Sequence, residues 1–401
     1  MAGPTIIKPW LRQLIAALIL GICVFILFQQ SSLFLSKQII EVDDFVEYWA
    51  AGRLNLTGGN PYSPEQLMQL QLYAGRTFQV PVMMWNPPYT LPLVMPFGAL
   101  KYRLSRFLWF LLNTALIVVC ASFIWRFYQG SPSRTWIAWL LGFSFIPTLF
   151  TLKTGQISVL LLLGTVLFLI FLQRRAWWLA ALSMLLMVIK PHILYLVPLA
   201  FLFWTISGRR WALLAGSTLG ILAATAIAWL FNPAVLKQYA YAVRHHPPYP
   251  WATPTIGGTL RHFLGPDKLW LQFAPTALGV IWFGYYWYKN RLNWQWPQQL
   301  PLLLAISVLT ASFGWTCDNV VLLLVILPVV IGGCQHGWNS ATIVTLSLYL
   351  AIDAGSLATN LSGGIQNDFW YMWLTPALVG WYFLAVRLGV VRHLATTVEP
   401  L

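Results

Sequence analysis

The sequence predicts an all-α polytopic membrane protein, and its composition and the length of its apolar runs are the observations that predict it. Hydrophobic residues make up 59% of the chain and charged residues only 8%, which is unlike a soluble globular protein. Apolar stretches long enough to cross a bilayer, about 20 residues each, recur along the chain. We therefore expect a single integral membrane domain over residues 1–401, with about 12 transmembrane helices.

The apolar runs locate these helices in order. The first run follows Lys8 and Arg12, and because no small-residue cleavage site follows it cleanly we interpret it as an uncleaved helix, with a signal peptide as the alternative. The runs on either side of Lys190-Pro191 are either two helices or two halves of one broken element. The predicted helices are 10–34, 107–125, 136–150, 156–172, 176–189, 193–206, 211–231, 270–288, 299–313, 319–335, 340–356 and 370–386.

Basic residues orient the bundle and also explain the net charge of +14. If the N-terminus is cytoplasmic, nearly every short inside loop carries Lys or Arg, as is typical of a multi-pass protein of the plasma (inner) membrane. The chain has no basic run, so nucleic acid is not an expected partner. Two long loops, 36–106 and 232–268, then lie on the extracytoplasmic side, where we expect them to be ordered and to hold the active site.

Acidic residues are scarce, yet four of the ten fall within seven consecutive positions: Glu41, Asp43, Asp44 and Glu47. In a helix Phe45, Tyr48 and Trp49 would share one stripe. This pattern predicts a short amphipathic helix at the outer interface, with its apolar side in lipid and its carboxylates toward a cavity. Crowding and partial burial suit such a carboxylate to act as a general base. The alternative is a solvated helix start, where acids are favourable.

Rigid turns and aromatic residues follow in the same loop. Asn60-Pro61-Tyr62 and Asn86-Pro87-Pro88-Tyr89 either brace the loop or shape a wall for a sugar or lipid, with Trp85 and Tyr89 as aromatic faces. Further along, Lys153 and Gln156 flank Gly155 at the predicted mouth of a helix. That pair is either an anion site at a helix N-terminus or a polar helix cap.

Lys190 lies between two apolar runs, and a charge at that depth is costly and usually functional. Pro191 frees backbone groups that must face a cavity or protein, and Lys190 with His192 would hold a phosphate. The alternative is a lysine that snorkels to the interface. Asp318 is a candidate to close the same cavity, whereas Asp353 is either part of it or a structural acid.

The second long loop carries several cations and histidines that are candidates to contact a phosphate or glycan: Arg244, His245, His246, Arg261 and His262. A plain interfacial loop is the alternative. No carboxylate or cysteine accompanies the histidines at ligand spacing, so we expect no metal site and no cofactor.

Taken together, these motifs resemble glycosyltransferase family 87, which includes the polyprenol-phosphate-mannose-dependent mannosyltransferases of the GT-C superfamily. The resemblance is concentrated in residues 41–210. Its motifs are DFVEYWAA (44–51), GGNPY (58–62), PPY (87–89) before a helix with Trp109 and Asn113, GQ (155–156) and IKP (189–191).

The resemblance implies a GT-C-like bundle whose catalytic Asp lies in the first outer loop. That residue is Asp44 here, with Asp43 as the other candidate. Gln156 and Lys190 match the family's Gly-Gln and Lys-Pro positions, while His192 stands where the family often has Gln or Tyr. The implied donor is a polyprenyl-phosphate-sugar, with mannose as the sugar, and the acceptor is a lipid or glycan.

These residues together define an expected reaction, an inverting transfer of the sugar at the outer face with an Asp general base. Lys190, His192, Arg261 and Arg244 would bind the donor phosphate. The expected substrate-binding residues are Glu47, Tyr48, Tyr62, Trp85, Tyr89, Gln156, His245, His246 and Asp318. A transporter or flippase of lipid-linked sugars is the alternative function, and a non-catalytic scaffold is a third.

Overall fold

The computed structural model describes residues 44–337, 339–364 and 367–391, and it contains no β-strand within those ranges. The first predicted span, 10–34, and the candidate Asp43 lie outside the described residues. The α-helices are α1 (Asp44–Leu56), α2 (Pro64–Tyr73), α3 (Leu91–Gly98), α4 (Tyr102–Phe127), α5 (Thr135–Ser144), α6 (Ile146–Thr154), α7 (Ser158–Gln173), α8 (Trp177–Met187), α9 (Leu196–Ser207), α10 (Trp211–Phe231), α11 (Val235–His245), α12 (Ile256–Leu264), α13 (Trp270–Asn290), α14 (Trp296–Leu309), α15 (Leu323–His336), α16 (Ser340–Thr359) and α17 (Leu374–Arg387).

Short helical segments join some of these helices. A 3₁₀ helix, Thr316–Leu322, leads into α15, and another, Asp368–Tyr371, precedes α17. The remaining segments are the 3₁₀ helices Pro88–Thr90, Pro132–Arg134 and Arg291–Asn293 and the π-helix Asn360–Gly364.

The helices support a polytopic membrane protein, but the expectation of about twelve spans is not confirmed. Among the described residues, five helical segments are long and apolar enough to cross a membrane: Tyr102–Phe127, Trp211–Phe231, Thr316–Gln335, Ser340–Ser362 and Asp368–Arg387. A sixth span results if the segment ending at Ser144 and helix α6, which meet at a 62° bend, are counted as one. Four other apolar helices, α7, α8, α9 and α14, are only 10–17 residues long. Their length falls below the roughly 20 residues that a helix needs to cross the hydrocarbon core.

The break predicted at Lys190-Pro191 is present, and it separates two independent helices. Helix α8 ends at Met187 and α9 begins at Leu196. Helix α8 packs against α7 and α10, whereas α9 packs mainly against α14. The eight-residue connection between α8 and α9 joins two helices that both contact α10 but otherwise have different partners, and it carries Lys190 and His192.

Helix α1 is buried, so the prediction of an amphipathic helix with its apolar side in lipid is wrong. Phe45, Tyr48 and Trp49 are fully buried. The ring of Phe45 lies 5.4 Å from that of Trp109 in α4, and the ring of Trp49 lies 5.2 Å from that of Tyr102. The apolar stripe thus packs against other helices rather than against lipid.

Helix α1 also packs closely against α3, and two glycines permit this contact. A Cβ on Gly52 would lie 2.7 Å from the carbonyl oxygen of Val94, and a Cβ on Gly98 would meet the backbone of Arg53. Neither position can accept a side chain without a shift of backbone. The close contact fixes α1, and with it the carboxylates in the first turn of that helix.

Candidate active site

A cavity of about 560 Å³ opens next to the first turn of α1. Its lining residues come from the first long loop, the end of α6 and the turn after it, the α8–α9 connection, the second long loop, α13, and the segments that lead into α15 and α17. The charged and titratable residues that line it are Asp44, Glu47, Lys153, Lys190, His192, Tyr239, Tyr249, Cys317 and Asp368. A cavity of this size with a few convergent polar groups is typical of a small-molecule site.

A chain of buried polar contacts borders the cavity. The hydroxyl of Tyr48 donates to Gln156 Oε1 at 2.6 Å, and Lys190 Nζ donates to the same oxygen at 2.7 Å. Lys190 Nζ also donates to Asp318 Oδ1 at 2.8 Å, and the hydroxyl of Ser158 donates to that oxygen at 2.5 Å. The second Asp318 oxygen accepts the backbone N–H of Trp315 at 2.9 Å. Four distant segments of the chain are therefore joined at the position of Lys190.

Tyr48 serves this network as a neutral donor. Burial raises the pKa of Tyr48 well above its usual value, and the negative charges of Glu47 and Asp44 add to the shift. The phenol therefore stays protonated and donates a hydrogen bond to Gln156 Oε1. Because Gln156 accepts from both Tyr48 and Lys190, its side-chain orientation is fixed.

The residues before Lys190 are held by the first long loop. Asn86 Nδ2 donates to the carbonyl oxygen of Ile189 at 2.9 Å, and the hydroxyl of Tyr89 donates to that of Val188 at 2.9 Å. The hydroxyl of Tyr62 in turn donates to the carbonyl oxygen of Asn86 at 3.2 Å. The two tyrosines therefore act as braces for the α8–α9 connection, whereas Asn86 both braces it and lines the cavity.

Lys153 reaches the cavity from the last turn of α6, not from a helix N-terminus as the sequence suggested. The helix ends at Thr154 and is followed by Gly155, whose φ of 78° is left-handed. Arg106 Nη2 donates to the carbonyl oxygens of Leu152 and Lys153 at 3.0 and 2.7 Å, which satisfies the last carbonyls of the helix. The indole N–H of Trp109 donates to the carbonyl oxygen of Gly155 at 2.7 Å. Helix α4 thus fixes the turn that carries both Lys153 and Gln156.

Aromatic rings form part of the wall. Trp85 and Trp315 both line the cavity, and their rings are nearly parallel, 11° apart in plane with centroids 6.4 Å apart. The indole N–H of Trp85 donates to the carbonyl oxygen of His246 at 2.8 Å and so joins the two long loops. Tyr249 and Phe313 make a second near-parallel pair on the lining.

His192 lines the same cavity but is not a second cation beside Lys190. Its Nε2 is buried and has no hydrogen-bond partner. Burial lowers the pKa of His192 to about 4, so the imidazole is neutral near pH 7. A neutral imidazole can still offer one N–H to a ligand oxygen.

Several predicted site residues do not line the cavity. Arg244 and His245 are exposed on α11, and the ring of His245 pairs with the carbonyl oxygen of Tyr241. Arg261 donates to the carbonyl oxygens of Tyr249 and Pro266. His246 contributes its backbone carbonyl to Trp85. The phosphate role expected for the two arginines therefore lacks support from their positions.

The predicted residues that the structure does bring together around the cavity are Asp44, Glu47, Trp85, Gln156, Lys190 and His192. Asp318 joins them through its ion pair with Lys190, and Tyr48 joins them through Gln156. Among the residues that the structure describes, no three His, Cys, Asp or Glu side chains are grouped as metal ligands.

Three residues of the site were missed at the sequence level: Ser158, Trp315 and Asp368. Ser158 is one of many small polar residues in apolar helices, and its partner Asp318 lies 160 residues away. Trp315 is one of 23 tryptophans. Asp368 could have been predicted from the sequence. Acidic residues are so scarce in this chain that each one at the boundary of an apolar run is a candidate functional residue.

One comparison with known protein families matches the chain, over a range that includes part of this cavity. The model of glycosyltransferase family 87 matches residues 85–297, which is more than half of the chain and contains Trp85, Gln156 and Lys190. Asp44 and Asp318 lie outside the matched residues, whereas residues 211–297, for which the motifs gave no resemblance, lie inside it. No curated protein and no solved structure matches the chain. The chain belongs to glycosyltransferase family 87, and its membership indicates glycosyltransferase activity.

Proposed function

We propose that the protein transfers a hexose, with mannose as the first choice, from a polyprenyl-phosphate-sugar to a hydroxyl of a lipid or glycan acceptor. The proposed site is the 560 Å³ cavity, which we place at the extracytoplasmic face of the plasma membrane. The observation that carries the proposal is that this one cavity is lined by the carboxylates Asp44 and Glu47 and by the cations Lys153 and Lys190. Transfer from a sugar phosphate needs both kinds of group.

Asp44 is the proposed general base. In the transfer step the bond between the sugar's anomeric carbon and the phosphate oxygen breaks, and its electron pair leaves with the lipid phosphate. The acceptor oxygen attacks the opposite face of the anomeric carbon and inverts it, while its proton passes to an Asp44 oxygen. Glu47, one helical turn further along α1, lines the same cavity and keeps the local potential negative around the base. A phosphate leaving group needs no strong acid, so one carboxylate suffices for this scheme.

Lys153, Lys190 and His192 are the proposed phosphate-binding groups. The Lys190 ammonium already donates to Gln156 and Asp318, so much of its charge is balanced within the protein. Lys153 is the second lysine on the lining, and it replaces Arg244 and Arg261 as the cation proposed to face the phosphate. The unpartnered Nε2 of His192 adds a neutral donor. Fixed groups of this kind stabilise charge that develops on a leaving oxygen.

The test is a transfer assay on the purified protein in lipid nanodiscs. Polyprenyl-phosphate-[³H]mannose is supplied with a membrane lipid extract, and both released polyprenyl phosphate and radiolabelled product are followed. We expect the two products to appear in equal amounts. The control variant Asp267→Asn changes an exposed acid that does not line the cavity, and we expect it to form both products at the wild-type rate. The protein is also reconstituted into sealed vesicles, where movement of intact donor from one leaflet to the other without bond cleavage would indicate a transporter and would contradict the proposal.

A further inference from the structure

Asp368 is a third carboxylate on the cavity lining, and the mechanism above does not use it. It opens the 3₁₀ helix Asp368–Tyr371 before α17, far along the chain from Asp44. Its Oδ2 accepts the backbone N–H of Thr316 at 2.9 Å. Its Oδ1 is buried and has no hydrogen-bond partner. The backbone N–H of Thr316 therefore satisfies one oxygen of this side chain, and the Thr316 hydroxyl lies near the carboxylate, but Oδ1 makes no hydrogen bond of regular geometry.

A buried acceptor with no partner is costly to the protein. A hydrogen bond to a charged group contributes more than one between neutral groups, and leaving such a group unsatisfied forfeits the solvation that it had in water. Asp368 belongs to a cavity large enough for a ligand, so a donor on that ligand can satisfy Oδ1. The complement of a carboxylate oxygen is an O–H or N–H donor.

The hydrogen bond from Thr316 ties Asp368 to a segment that carries an aromatic residue of the lining. Trp315 directly precedes Thr316, lines the cavity and is nearly parallel to Trp85. A pyranose has an apolar face of C–H groups and a rim of hydroxyl donors. An indole ring packs well against the apolar face, and an adjacent carboxylate accepts from the rim.

We propose that Asp368 Oδ1 accepts a hydrogen bond from a hydroxyl of the transferred hexose, with Trp315 packed against the ring of that sugar. This inference rests on the proposed function, since it assigns a sugar subsite within the same cavity. Asp368 is then a specificity-determining residue, because a sugar without that hydroxyl leaves Oδ1 buried and unpaired.

The distinguishing variant is Asp368→Asn. The N–H of Thr316 requires an acceptor, so the amide oxygen of the asparagine takes the position of Oδ2 and the amide NH₂ takes that of Oδ1. The structural contact is kept, while the acceptor for the sugar becomes a donor. Asp368→Ala removes both contacts, and Asp267→Asn serves as the matched change of an exposed acid.

Binding and turnover are both measured in nanodiscs, because a glycoside detergent would compete for the site. Binding is followed by calorimetry with polyprenyl-phosphate-mannose and with its monodeoxy analogues. Wild type is expected to lose affinity for one analogue by about 10-fold or more. Asp368→Asn is expected to unfold at the wild-type temperature, to bind mannose donor about 10-fold or more weakly, and to lose its sensitivity to that one position.

The outcomes separate the two proposals. Wild-type affinity and turnover for Asp368→Asn, with only Asp368→Ala less stable, would show that Asp368 merely holds Thr316 and would overturn this inference. If wild type binds the donor with the expected hydroxyl selectivity but transfers nothing, the Asp368 assignment stands and the proposed function fails. If wild type binds neither the donor nor any analogue, both fail.

Discussion

The ammonium nitrogen of Lys190 lies 2.8 Å from Oδ1 of Asp318, and the two residues are 128 positions apart in the sequence. Both side chains are almost wholly buried, with 5% of Lys190 and 1% of Asp318 exposed. The pair joins the α8–α9 connection to the segment that leads into α15, at the border of the cavity. Because both charges are buried, each depends on the other for its stability.

We expect Lys190→Met and Asp318→Leu to destabilise the protein strongly. Each single change leaves an uncompensated buried charge, which typically costs about 3–5 kcal/mol. The measurement is thermal or denaturant unfolding in nanodiscs, followed by tryptophan fluorescence. Single variants as stable as wild type would show that the pair does not hold the two segments together.

The double variant Lys190→Met/Asp318→Leu separates stability from activity. Removal of both charges leaves no unpaired ion, so we expect most of the lost stability to return. Turnover should remain low, because Lys190, one of the two proposed phosphate-binding lysines, is absent. Recovery of wild-type turnover together with stability would limit Lys190 to a structural role.

Gly155→Ala is expected to damage both the fold and the site. Gly155 has a φ of 78°, and a Cβ there would lie 2.6 Å from Phe45 Cβ and 2.9 Å from Arg106 Cζ. Gly58→Ala is the matched control, since Gly58 has a φ of 74° but no atom within 4 Å of its added Cβ. The control should cost only the roughly 1–2 kcal/mol of a left-handed alanine. Gly155→Ala should cost clearly more and reduce turnover, and equal unfolding free energies for the two variants would refute the steric account.

Lys153→Gln and Arg244→Gln test which cations face the donor phosphate. Lys153 lines the cavity, whereas Arg244 is exposed on α11 and does not. Loss of a charge-assisted contact to phosphate should raise the KM for polyprenyl-phosphate-mannose by roughly 10-fold or more in Lys153→Gln. Arg244→Gln should stay within about 2-fold of wild type, because its charge is exposed to solvent. A larger rise in KM for Arg244→Gln than for Lys153→Gln would indicate that the phosphate binds at the second long loop instead.

Much of the fold follows from local patterns in the sequence. Apolar run length located α4, α10 and α13 to within a few residues, and the Lys190-Pro191 break lies where proline requires it. The number of spans did not follow, because the runs at 156–172 and 176–189 were counted as spans although they, like α7 and α8, are shorter than a membrane crossing requires. The burial of α1 was also missed, since an apolar stripe packs equally well against lipid or against Trp109.

The site was predictable where a residue type was rare for its surroundings. Carboxylates in an acid-poor chain singled out Asp44 and Glu47, and a lysine between apolar runs singled out Lys190. The pairing of Lys190 with Asp318 could not be derived, because contacts across more than a hundred residues are set by tertiary packing. Tertiary packing also determines where Arg244 and Arg261 lie. Their charge suggested a phosphate site, but their positions in the structure do not support one.

The most direct test of the central claim is the rate of polyprenyl phosphate release by Asp44→Asn. The substitution keeps the size of the side chain but removes the base, and general base catalysis contributes about 10²–10⁴-fold. We expect the rate of release to fall by at least about 100-fold, while the unfolding temperature and the donor affinity stay at the wild-type level. The control variant Asp267→Asn should release polyprenyl phosphate at the wild-type rate. Full turnover by Asp44→Asn would contradict the assignment of the cavity carboxylate as the catalytic base.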